Sequence, residues 1–115
     1  MAITIPDLRS SAPRSGKDMI GRYAWLARLA DKARAEHAGT NGEYVAYCPV
    51  SMGFLERAGV SKDDFERLIE QEASDEQFVS YFDRHVSDER RERANRFILE
   101  EHRSSIEEQD AEEGR

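Results

Sequence analysis

SMGFLERAGVSKDDFERLIEQEASDEQFVSYFDRHVSDERRERANRFI, residues 51–98, is the stretch that decides the fold class. Ser51, Ser61, Ser74 and Ser87 each stand before an amphipathic run, where a hydroxyl can accept a backbone N–H left unpaired in a first helical turn. Ser61-x-x-Asp64 and Ser74-x-x-Gln77 fit the capping-box spacing. Behind the caps, Phe65, Leu68 and Ile69, then Phe78, Val79, Tyr81 and Phe82, then Ala94, Phe97 and Ile98 recur at helical intervals. The reading is four helices in succession: one capped by Ser51 and closed by Gly59, one from Ser61, one from Ser74, and one over Asp88–His102. The last has too narrow an apolar stripe for a core helix, so it is expected at an edge or against a second subunit.

Upstream, Ser15 and Asp18 have the same cap spacing. Met19, Tyr23, Leu26, Ala30 and Ala33 then recur at intervals of three and four, predicting a helix from Lys17 to His37 that ends at Gly39. Thr40-Asn41-Gly42 is a turn signal. Glu43 to Cys48 is the one extended candidate, and Pro49 ends any ladder there. Pro6, Pro13 and Ser10-Ser11 mark residues 1–14 as an extended arm, and the Glu-rich residues 104–115 read as an acidic disordered tail. The fold class is therefore mainly α: a single-domain bundle of about five helices over 15–103, with room for one short strand pair near 43–48.

With 115 residues, one ordinary domain buries roughly two thirds of its unfolded surface. Cys48 is the single cysteine, which excludes an internal disulfide and a multi-cysteine zinc site, and a free thiol leads us to expect a cytoplasmic protein. No apolar run approaches the ~20 residues of a membrane span, and the opening residues lack the pattern of a secretory signal. The net charge of −7 divides into +2 over residues 1–50, −5 over 51–103 and −4 over 104–115. Most of the chain would repel nucleic acid and anionic lipid.

That charge also removes a helix-turn-helix reading of Ser51–Glu70. Its second helix would present Asp63, Asp64 and Glu66 to DNA, and Leu55 stands where close helix packing wants a small residue. His37, His85 and His102 are too scattered for a metal site, and no phosphate-loop or dinucleotide pattern is present. No cofactor is implied.

Two signals carry chemistry. Cys48 lies in an aromatic loop with Tyr44, Tyr47 and Pro49; a reactive thiol there would need a base, and His37 at the end of the preceding helix is the nearest candidate. The expectation for Cys48 itself is an inert, mostly buried thiol. The second signal is cationic: Arg14 and Lys17 at the start of the first helix, where unpaired N–H groups favour anions, and Arg28 and Arg34 further along it, with Asp31 between them.

The run Arg28, Asp31, Lys32, Arg34, Ala35, together with Gly42-Glu43-Tyr44 and Cys48-Pro49, resembles the bacterial family known as domain of unknown function 5069 (DUF5069). The resemblance extends from about Pro13 to Val86. After Pro49 the chain departs from the pattern, with Ser51 following Val50 where Asp is expected. The resemblance implies a cytosolic bacterial domain and brings no activity. The functional expectation is a small domain that binds an anionic ligand or a protein partner through Arg28, Asp31, Arg34, Tyr44 and Cys48. Its rivals are a small enzyme using Cys48 or Tyr44 at the same site, and a structural homodimer.

Overall fold

Helix α1 begins at Leu26, nine residues later than the sequence periodicity predicts, and runs to Ala38. The cause is Trp25, whose φ of 72° places it in the left-handed region, a conformation that costs a non-glycine residue of order 1 kcal/mol. Ahead of it, Ser15 and Asp18 bond each other locally: the Ser15 N–H donates to the Asp18 carboxylate at 3.1 Å, closing a turn where a helix was expected. The strap Ser15–Trp25 is held by the Trp25 N–H donating to the Gly16 carbonyl at 2.8 Å. A Cβ on Gly16 would come within 2.5 Å of the Trp25 ring, so only glycine fits. Tyr23, Ala24 and Trp25 are all fully buried.

The computed structural model describes residues 3–115, and Met1–Ala2 of the expected arm lie outside them. Helix α2 spans Pro49–Ala58, α3 Lys62–Glu70, α4 Asp75–His85 and α5 Asp88–Arg96, followed by a π-helical turn Phe97–Glu101 and α6 Arg103–Glu112. Ser61, Ser74 and Ser87 cap α3, α4 and α5 through their hydroxyls, and Ser74 with Gln77 completes a reciprocal capping box. Ser51 does not cap. Pro49 occupies the first position of α2, where its missing N–H is no loss, so Cys48 becomes the N-cap and Ser51 falls inside the helix, fully buried.

No strand forms among the described residues. The 43–48 stretch meets its backbone needs locally: Tyr44 N–H donates to the Asn41 carbonyl at 2.9 Å and Ala46 N–H to the Glu36 carboxylate at 3.0 Å. The segment read as a disordered tail is also corrected. Residues 103–112 are helical because Ile106 buries to 3% exposure and Asp110 accepts from the Ser15 hydroxyl at 2.9 Å. The arm is likewise packed: Leu8 is buried and its N–H donates to the Thr40 carbonyl at 2.8 Å.

Around α1, buried along ten consecutive residues from Leu26 to Ala35, the aromatic side chains interlock. Phe65 meets Phe78 at 4.9 Å between centroids, and Tyr23 meets Phe82 edge-on at 5.3 Å. The apolar stripe of the last predicted helix finds its partner within the chain, since α5 and the π turn pack on α2. Gly53 permits that approach: a Cβ there would meet the Phe97 ring at 2.5 Å.

Candidate functional site

Ten buried positions in a row cannot all be apolar in a helix reading LARLADKARAEHA, and four are not: Arg28, Asp31, Lys32 and Arg34 are each at most 8% exposed. Buried charge demands partners, and the partners sort these residues into two separate groups.

Asp31 and Arg34 belong to a neutral lattice. Arg14 donates to Asp31 at 2.9 Å and to Asp75 at 2.8 Å, while Arg34 donates to Asp75 at 3.0 Å and to the Ala73 carbonyl at 2.9 Å. The Arg14 backbone N–H adds a further bond to Asp31 at 2.9 Å. These contacts tie the end of the N-terminal arm to α1 and to the first turn of α4. Arg14 beside Asp75 holds that carboxyl below its ordinary value. The adjoining cleft of about 500 Å³ also contains Glu76, so Asp31, Asp75 and Glu76 outnumber Arg14 and Arg34 there. This is an ion-pair joint in which carboxylates are in the majority. Nor do Arg14 and Lys17 flank a helix start, because α1 begins at Leu26 and Lys17 faces Asp110 at 3.6 Å.

Arg28 turns toward Tyr44. Its two terminal nitrogens donate to the two carboxylate oxygens of Glu113 at 2.9 and 2.7 Å, a planar two-bond fork. The Tyr44 hydroxyl donates to the same carboxylate at 3.0 Å, and Arg115 donates to it at 2.5 Å. Arg28 also lies 5.7 Å from the Trp25 ring and 5.8 Å from the Tyr44 ring. Burial pushes the Glu113 carboxyl up, but Arg28, Tyr44 and Arg115 outweigh it and hold the group below its ordinary value. Burial, seconded by Glu113, raises the Tyr44 phenol, which makes Tyr44 a hydrogen-bond donor and a poor nucleophile at neutral pH.

One helical turn beyond Arg28, Lys32 stands over Trp25 at 5.5 Å and directs its ammonium to Cys48, Nζ to Sγ 3.7 Å. Cys48 is partly buried, and Ser51 Oγ is 3.4 Å from its sulfur. The Trp25 indole N–H donates to that same Ser51 oxygen at 3.0 Å. Burial raises the thiol, yet the Ser51 hydroxyl and N–H together with Lys32 outweigh it, so Cys48 ionises more readily than an ordinary thiol. Against the expectation of a mostly buried thiol in an aromatic loop, Cys48 is partly buried and has polar neighbours in Lys32 and Ser51. The neighbouring base is also different: His37 is exposed on the last turn of α1, and Lys32 takes the place anticipated for it.

Of the five residues singled out from sequence, Arg28 and Tyr44 meet directly, Cys48 joins them through Lys32 and Trp25, and Asp31 and Arg34 fall in the other group. Lys32, Ser51, Trp25, Glu113 and Arg115 complete the site without having been singled out for it. The available signal for Ser51 was Cys48-Pro49, since X-Pro opening a helix makes the residue before proline the cap. No group of histidine, cysteine and carboxylate among the described residues is placed to hold a metal. No helix there is long and apolar enough to cross a membrane. A family model described as Domain of unknown function (DUF5069) matches residues 10–115. No curated protein matches the chain.

Proposed function

Because the chain belongs to the DUF5069 family, whose description carries no activity, we propose from geometry that it is a small binding domain for carboxylate-bearing ligands. The site is formed by Arg28 and Lys32 of α1 and by Tyr44 of the 39–49 loop. One observation carries the reading: three donors, Arg28, Tyr44 and Arg115, converge on the single carboxylate of Glu113. That arrangement is a carboxylate receptor occupied by the chain's own side chain. Arg28, Lys32 and Arg115 surround one acid, leaving local positive charge in a chain whose net charge is −7. Glu113 lies just past the end of α6, on a residue with no following helical turn to restrain it. An incoming ligand carboxylate reproduces its bonds as Glu113 swings out.

The test removes the internal competitor. Glu113→Ala leaves Arg28 buried without a counter-ion, a loss of about 3 kcal/mol, and a carboxylate from solution is expected to restore it. In calorimetry and thermal shift, citrate and succinate should bind Glu113→Ala about tenfold more tightly than the unaltered chain. Arg28→Lys in that background, which keeps the charge and loses the fork, should abolish the gain. If neither chain binds any carboxylate better than millimolar, the cluster is a structural clasp only.

An acidic segment of a protein partner would meet the same donors, and competition by a glutamate-rich peptide tests that route. Self-association is a separate proposal, resting on exposed Met52 on α2 and Leu99 on the adjoining π turn. A monomer by light scattering at high micromolar concentration rejects it.

A further inference from the structure

We infer that Cys48 is a thiolate serving as counter-ion to the buried Lys32 ammonium, and that it is a nucleophile toward small electrophiles of the peroxide class. The inference goes beyond ligand binding, shares only Lys32 with that site, and stands on Cys48 and Ser51.

The first observation is Lys32. It is 5% exposed, and its one hydrogen bond among the described residues is to the Cys48 sulfur at 3.7 Å. Among the described residues it makes no salt bridge to a carboxylate. The acid whose field reaches it, Glu113, is bonded to Arg28, whose own positive charge also acts on Lys32. A buried ammonium facing a neutral thiol would be uncompensated, at a cost of several kcal/mol; facing a thiolate, it is paired.

The second observation is the direction of the Ser51 proton. The Trp25 indole is a donor only, so at 3.0 Å the Ser51 oxygen must accept from it. The Ser51 hydroxyl hydrogen is then free for the sulfur 3.4 Å away. Cys48 is also the N-cap of a ten-residue helix. Its sulfur makes no formal cap hydrogen bond, yet it sits in the field of the N–H groups of Val50 and Ser51, beyond a Pro49 that has none. Lys32, Ser51 and the start of α2 approach the sulfur from different elements. Each favours negative charge, and no carboxylate of the described residues is within hydrogen-bond distance of it.

The chemistry balances with a peroxide. The thiolate attacks one peroxide oxygen; the S–O bond forms as the O–O bond breaks, and sulfur loses the two electrons that the leaving oxygen gains. The departing hydroxide takes a proton from Lys32 Nζ and leaves as water, giving a sulfenic acid and a neutral amine. Burial already lowers the affinity of Lys32 for that proton. Cys48 is the single cysteine, so the sulfenic acid has no resolving thiol in this chain and awaits one from outside.

Thiolate absorbance near 240 nm and the rate of iodoacetamide alkylation, followed against pH, test the charge state. For the unaltered chain both midpoints should lie below the ordinary value of about 8.5. Lys32→Met, which packs an apolar chain of similar length, should raise them to that value or above, and Ser51→Ala should raise them by less. Dimedone trapping after hydrogen peroxide, read by mass spectrometry, should label Cys48 about tenfold more slowly in Lys32→Met. An ordinary midpoint in the unaltered chain overturns the inference, as does a midpoint indifferent to Lys32→Met. Peroxide oxidation no faster than that of free cysteine overturns the nucleophile.

Discussion

Trp25 joins the two halves of the site: its indole N–H donates to Ser51, and Arg28 and Lys32 lie over its ring. As the one tryptophan in the chain, it is also a built-in reporter. Ionisation of Cys48 two hydrogen bonds away should change its emission, and a fluorescence titration is expected to share its midpoint with the 240 nm absorbance; separate midpoints would mean the two groups are not linked as described. Trp25→Phe keeps most of the ring and loses the donor, so it should cost about 2 kcal/mol from the volume lost and the bond to Ser51, measured by urea unfolding. Residue types at this scale were readable in advance. Arg28, Tyr44 and Cys48 stand out by chemistry, but Lys32 does not, because a charge on a helix gives no sign of burial until its neighbours are known.

Caps are local, and so the starts of α3, α4 and α5 were legible from three serines and the residues that follow them. The start of α1 was not, since Trp25 adopts its left-handed backbone for contacts with Gly16 and Ser51 that no window of adjacent residues contains. Helix α6 was hidden for a related reason: its composition is that of a solvated tail, and its order depends on Ile106 and on Asp110 reaching Ser15. Ile106→Ala should therefore cost about 2–3 kcal/mol in urea unfolding. A result within 0.5 kcal/mol would make α6 an ornament.

Two element ends, of α6 and of α4, set an acid limb. Glu113 and Asp75 both have carboxyl groups held below their ordinary values in the fold. A depressed carboxyl contributes stability that is complete above its unfolded pKa of about 4 and is lost as pH falls through the folded value. Urea midpoints should be flat from about pH 5 to 7 and drop steeply below about pH 4. Glu113→Ala should flatten part of that drop.

Taken whole, the molecule has a radius of gyration of 13.2 Å, close to the ~13 Å of one compact domain of this length. The arm, α1, α4 and α6 are joined by Arg14, Arg34 and Arg28 to acids from distant parts of the chain. That interlinking predicts one cooperative transition. Ellipticity at 222 nm and Trp25 emission should report coincident unfolding curves, and an earlier loss of emission would mark the clasp as a separately melting unit.

Arg28 and Glu113 are 85 residues apart in sequence, and Ser15 and Asp110 are 95 apart. Contacts across such distances repay their loop-closure entropy last, so the C-terminal clasp should still be open at the folding barrier. Its energy then acts on escape from the native state and hardly on arrival. In a chevron plot, Glu113→Ala should leave the refolding limb in place and raise the unfolding rate by the full equilibrium loss, on the order of a hundredfold for about 3 kcal/mol. The clasp would set how long a folded molecule lasts while leaving unchanged how fast it forms.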